Sequence, residues 1–323
     1  YGDHRDLHFS LHDALPISQA AELTIIDRPE QRFPLKLAPQ IPQIRGLFHA
    51  SAQNQWDPKT DIDWDLLDIS KYSDEQLMGA REYWSRRAWA EYGAISESPA
   101  LQIRFCQDRL EPDLQLYFTI RSQEESRHAE ACYLMAEKLG GYIEEPFVNV
   151  YQSSVATHGV RKMALDPNLP LEATIAALVC GAEEIAFDVF KHLVDVATNP
   201  VAIQIVKSVM RDEVRHCAFG WAYMEHRIKD MTDAEIKVVE EAVIIMIRDV
   251  EMNGYHSAWL APDNPASAQE VRADRLTYEA GLGATVEEEE IPIFVGTVQR
   301  IRQRMQPWGV ELPIFTHPKI GDF

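Results

Sequence analysis

From Ser73 to about Ala261, apolar positions recur at three- and four-residue intervals in segments too long for strands, which predicts helix almost throughout. The first helix is expected from Ser73, with Glu75 in its first turn, to about Ser96, and the second from Asp113 to Leu139, closed by Gly140 and Gly141. A third follows Pro170 and ends near Asn199 and Pro200. A fourth runs from Val201 to about Ile228, and Thr232 caps a fifth that reaches Trp259. Strand-like alternation is confined to residues 147–151 and 291–294, both weak candidates. Residues 20–70 are punctuated by Pro29, Pro34, Pro39, Pro42 and Pro58 and read as an irregular arm with at most short helices. The run 287–290, four glutamates, reads as a solvated turn. The expected class is all-α: an N-terminal arm over 1–70, a helical bundle over 71–261, and a helical C-terminal extension of the same domain over 262–323. The stretch LHDALPIS at 11–18 looks like translated sequencing adaptor, so residues 1–18 are set apart from the fold.

Charge narrows the partners. With 31 Lys and Arg against 51 Asp and Glu, the net charge of −20 repels phosphate backbones and anionic lipid, so neither a nucleic-acid nor a membrane partner is expected. No apolar run approaches the ~18 residues of a membrane span. Cys106, Cys132, Cys180 and Cys217 are scattered without a CxxC pair, which argues against a disulfide scaffold and for a cytoplasmic protein.

The chemistry sits in a motif that occurs twice. The second helix carries Glu124-Glu125-Ser126-Arg127-His128 and the fourth Asp212-Glu213-Val214-Arg215-His216, both acid-Glu-x-Arg-His. A lone Glu-x-x-His is expected about once by chance in a chain this long. Here only two of the 11 histidines have Glu three positions before, both in mid-helix with matching flanks. Glu and His three apart project from one helical face, and each pair supplies a carboxylate and an imidazole suited to first-row divalent ions. On the first helix Glu91 falls within about 40° of the apolar centre, whereas Glu75 and Glu82 lie opposite. On the third helix Glu183 lies roughly 60° from the apolar centre and is preferred, with Glu184 the open alternative. Four inward carboxylates without cations would be costly, and two divalent ions would neutralise them. Asp212 is expected to orient His128 and Glu124 to orient His216, with Arg127 and Arg215 balancing those outer acids.

The doubled motif resembles that of the ferritin-like di-iron carboxylate superfamily. Within it, the likeness is to the oxygen-activating branch of monooxygenase hydroxylases, acyl-carrier-protein desaturases, and the benzoyl-CoA epoxidase and arylamine N-oxygenase groups. The resemblance covers roughly residues 73 to 230. It implies an antiparallel four-helix bundle with added N- and C-terminal helices. It also implies that Glu91, Glu125, His128, Glu183, Glu213 and His216 hold two Fe ions, with Mn able to take one position. The implied function is a di-iron oxygenase that uses O2 to oxidise a small aromatic or acyl substrate, served by an electron-donating reductase or ferredoxin and working as a homodimer. The rival is a ferritin-like iron storage or scavenging protein.

Departures from the family refine this reading. Ribonucleotide reductase small subunits carry a radical Tyr four residues after the first His, where this chain has Cys132, so a stored tyrosyl radical is not expected and Cys132 becomes a catalytic candidate. The extra His of the arylamine N-oxygenases is replaced by Val209. Arg121, one turn before Glu125 on the inward face, needs an anion and is expected to meet an outer acid or a substrate carboxylate.

Overall fold

Helices follow one another from Pro42 to Met305 in the computed structural model, which describes residues 35–144 and 162–323. In chain order they are α1 (Pro42–Gln53), α2 (Asp74–Gln107), α3 (Pro112–Lys138), α4 (Leu171–Ala177), α5 (Glu184–Val196), α6 (Pro200–Arg227), α7 (Asp233–Ile245), α8 (Pro265–Glu279) and α9 (Glu287–Met305). A short antiparallel pair, β1 (Thr316–His317) with β2 (Gly321–Asp322), ends the chain. These elements all lie in the unit Pro39–Phe323. Among the described residues no helix is long and apolar enough to cross a membrane.

The helix starts obey local rules. Ser73 and Gln76 form a reciprocal capping box before α2, at 3.2 and 3.1 Å. Asn199 caps α6 by accepting from the N–H groups of Val201 and Ala202, with Pro200 in the first turn, where no donor is needed. Gly140 and Gly141, at φ of +129° and +111°, release the chain after α3.

Four rods make the bundle: α2, α3, the α4–α5 rod and α6. The pairing of α2 with α3 is the most extensive, and α5 and the residues before it pack on α6. Around these, α1 lies on α3 and α6, α8 on α2, α7 on α4, and α9 on α5.

Several sequence expectations need correction. The first bundle helix does not stop near Ser96 but continues through Pro99 to Gln107, because a single missing N–H is tolerated in a helix packed along its length against α3. The third helix is not uniform: residues Leu178–Glu183 adopt a π-helical turn between α4 and α5. The fifth helix gives way after Ile245 to a π turn and a 3-10 turn, and Gly254 at φ +94° ends it short of Trp259. Residues 287–290 are not a solvated turn but the first turn of α9, where acidic side chains favour the positive end of the helix dipole. Residues 291–294 are likewise helical, and the other strand candidate, 147–151, lies outside the described residues.

One glycine is required by packing. A Cβ on Gly220 of α6 would stand 2.6 and 2.8 Å from the Val179 side chain and 3.1 Å from Cys180 Sγ. Its absence lets α6 press against the π turn that carries Glu183.

Candidate metal centre

Each of the four rods sends acid or imidazole groups to one point. Glu91 comes from α2, Glu125 and His128 from α3, Glu183 from the end of the π turn, and Glu213 and His216 from α6. One ligand atom each from Glu91, Glu125, His128 and Glu213 lies within 4.8 Å of the others, and the same holds for Glu183, Glu213 and His216. Glu213 belongs to both groups: its two oxygens sit 3.2 Å from His128 Nδ1 and 3.1 Å from His216 Nδ1. Glu125 spans the groups similarly, 3.5 Å from His128 Nδ1 and 3.3 Å from His216 Nδ1. Two outer carboxylates and two shared ones are thus arranged around a pair of imidazoles whose ring centres are 6.0 Å apart.

Both imidazoles turn Nδ1 inward and Nε2 toward an acid. His128 Nε2 lies 3.2 Å from Asp212 Oδ2, and His216 Nε2 lies 2.9 Å from Glu124 Oε2. Arg215 bridges Glu124, at 2.6 Å, and Asp212, while Arg127 reaches Asp212 at 3.4 Å. Such partners fix the tautomer and orientation of an imidazole presented to a cation.

The crowded carboxylates draw positive charge to the cluster. Burial works against the His216 imidazolium, yet Glu213 and Glu125 pull its pKa up to about 10. His128 is likewise pushed well above its usual value, against burial, by Asp212, Glu125, Glu213 and Glu91. Burial drives the Glu183 carboxyl up to about 7 despite Arg121 beside it. Glu213 is held well below the carboxylate range, against burial, by the two histidines. His128 Nδ1 and Glu183 Oε2 are buried without a hydrogen-bond partner. Unsatisfied inward-facing donor atoms among crowded carboxylates fit a pair of divalent ions.

A chamber adjoins the cluster. Glu91, Glu125, Glu183 and Glu213 line it together with apolar Ala90, Ala94, Leu101, Ala186 and Phe190 and with Tyr255 and His256.

Other sequence-selected residues fall as follows. Glu184 points away from the cluster and accepts from Trp221 Nε1 at 2.9 Å. The π turn explains why a wheel drawn at 100° per residue left Glu183 and Glu184 hard to separate. Arg121 meets neither an outer acid nor solvent. Its guanidinium contacts Glu183, Glu125 at 3.0 Å and Ser98, so the expected outer-acid pairing is replaced by the inner carboxylates themselves. Cys132 is buried beside Trp84 and Phe190, off the chamber wall, with its thiol pushed up to about 12 by burial. Tyr117 stacks on Phe219 in the core at 4.9 Å.

Sequence reasoning missed four contributors. Arg87, one turn before Glu91, pairs with it, and that i, i+4 spacing was legible. Trp56 donates to Asp212, Ser51 accepts from Arg215 at 2.9 Å, and Gln55 accepts from Arg127. All three lie in the segment read as an irregular arm, where Ile41, Ile44, Phe48 and Ser51 already carried a helical spacing.

No family model matches the chain, and no curated protein matches its sequence. Solved structures do resemble it. A tyrosine-to-phenylalanine variant of R2-like ligand-binding oxidase with an anaerobically reconstituted Mn/Fe cofactor superposes with a TM-score of 0.56 at 12% identity, covering 89% of this chain and 98% of that one. Another such variant, with its Mn/Fe cofactor reconstituted aerobically, gives 0.54 at 13% identity over 81% of this chain and 92% of the other. At this identity the likeness establishes the fold: the chain is a ferritin-like helical bundle of the kind seen in the R2-like ligand-binding oxidases.

Proposed function

We propose that the chain is a non-haem di-iron oxidase or oxygenase that uses O2 to oxidise a small organic substrate, with Mn able to replace Fe at one position. The observation that carries this reading is the double Glu-x-x-His cluster, in which Glu125 and Glu213 span both imidazoles beside a partly apolar chamber. Glu91, Glu125, His128 and Glu213 would hold one ion, and Glu183, Glu213, His216 and Glu125 the other. When bound, the ions supply the redox equivalents and Lewis acidity that activate O2.

The protein's own part is positional. Asp212 and Glu124 orient the two imidazoles, and Arg127 and Arg215 pair with those acids. Phe190 and the alanines of the wall exclude water from the face where substrate would lie. The acidic surface suits a basic electron donor.

Metal analysis with Glu125→Ala tests the reading. Anaerobic Fe(II) addition should saturate near two ions per chain, the variant should hold fewer, and the loaded protein should consume O2 with a reductant. Uptake of many ions per chain would support storage instead, and no uptake would end the proposal.

A further inference from the structure

Arg121 is held by carboxylates that a second cation would claim. It is 3% exposed, and its guanidinium reaches Glu183, Glu125 and Ser98, while Nε is buried with no hydrogen-bond partner. The other guanidinium of the chamber, Arg87, is committed twice, to Glu91 and to the Phe190 ring 3.9 Å from its Cζ.

Five carboxylates (Glu91, Glu97, Glu125, Glu183 and Glu213) and two guanidiniums, those of Arg87 and Arg121, line the chamber. Behind them Glu124 and Asp212 are matched by Arg127 and Arg215. Two divalent cations would bring four positive charges to these carboxylates, so the loaded chamber is less anionic than the metal-free one. Glu183 and Glu125, the carboxylates that hold Arg121, are also ones that would hold the second cation, which would compete with the guanidinium for them. A buried guanidinium without a counter-ion is strongly disfavoured, and its planar fork matches a carboxylate.

We propose that Arg121 is the receptor for an anionic group of the substrate and becomes available when the second cation binds. This rests on the dimetal reading above and adds a substrate class: a small organic monoanion with an apolar body. The chamber and the cavity next to it share Arg87, Ala90, Phe190, Tyr255 and His256 and offer about 80 Å³ each. Opened into one another across these shared side chains, they would be comparable to the roughly 150 Å³ cavity that holds benzene.

The test is calorimetric titration of the full chain with benzoate and its neutral isostere benzamide, metal-free and loaded anaerobically with Mn(II). Metal analysis comes first: uptake of fewer than two Mn(II) per chain overturns the dimetal reading and this inference with it. In the loaded wild type, benzoate should bind about ten-fold more tightly than benzamide, a preference that shrinks to less than about two-fold in the metal-free chain and in loaded Arg121→Gln. Arg121→Lys, which keeps the charge and loses the fork, should retain part of the preference and carries the test if Arg121→Gln does not fold. With two ions bound, an undiminished preference in either variant overturns the role of Arg121 and leaves direct metal ligation of the carboxylate in its place. Absence of any preference in the wild type, or a full preference without metal, also overturns it.

Discussion

Trp56 Nε1 donates to Asp212 Oδ2 at 2.8 Å, and that oxygen lies 3.2 Å from His128 Nε2. The contact joins the segment after α1 to the centre of the bundle. Asp212 is fully buried and would lose its charge to desolvation, but His128, Trp56 and Arg215 together hold its carboxyl far below the usual range. Trp56 therefore helps to set the acid that aims an imidazole at the candidate metal position.

Trp56→Phe keeps the ring and removes this donor. A hydrogen bond to a buried charge contributes about 1.5–3 kcal/mol, so unfolding in urea should shift by that amount. Because partners of a ligating histidine tune affinity, metal binding should weaken by about ten-fold or more. Titration of the variant with Mn(II) checks the second claim. An unchanged affinity would mean that Asp212 is positioned by the arginines alone.

How much of this was legible depended on whether a residue announced itself locally. The two Glu-x-x-His pairs did, because their spacing within one helix fixes a shared face, and the acids before each motif fell three positions from their arginine. Glu91 followed from the apolar wheel of α2. Glu183 was less legible: the π turn Leu178–Glu183 inserts a wider turn, and no composition signal marks where a helix changes pitch. Trp56, Ser51 and Gln55 were hidden for another reason. Their partners lie far along the chain, and the prolines nearby masked a helix whose start Pro42 in fact favours.

Gly220 tests the close approach of α6 to that π turn. In Gly220→Ala the new methyl would meet Val179 at 2.6 Å, and overpacking of a tight core costs about 1–3 kcal/mol, outweighing the helix propensity that alanine gains. Strain at Val179 is transmitted along the turn to Glu183, so the second ion should bind more weakly than the first. Stepwise metal titration beside thermal unfolding separates the two effects. Wild-type stability with reduced stoichiometry would contradict the packing argument, since the steric cost comes first.

Metal removal should be visible in stability. Each ion that binds only the folded chain adds about 2.7 kcal/mol at one hundred times its Kd. Anaerobic Fe(II) or Mn(II) should therefore raise Tm by several degrees, and a chelator should reverse it. The Glu125→Ala variant should show a smaller rise. An identical Tm with and without metal would indicate that neither ion sits between the four rods.

Glu290 offers a pH-dependent prediction independent of the metals. This residue of the first α9 turn is 5% exposed and accepts from Trp259 Nε1 at 2.6 Å. Burial raises its carboxyl from 4.5 to about 7, with Trp259 pulling the other way. Between those values the folded chain keeps a proton that the unfolded chain has released. The resulting stability is fully present below about 4.5 and is lost as pH rises through about 7. At 1.36 kcal/mol per pKa unit the whole effect is roughly 3 kcal/mol. Glu290→Gln cannot ionise and keeps a carbonyl oxygen for Trp259, so it should match the wild type near pH 4.5 and exceed it at pH 8. Urea unfolding of both chains across that range measures the difference. Parallel stability curves would show that Glu290 titrates as an ordinary carboxylate and that the turn of α9 is open to water.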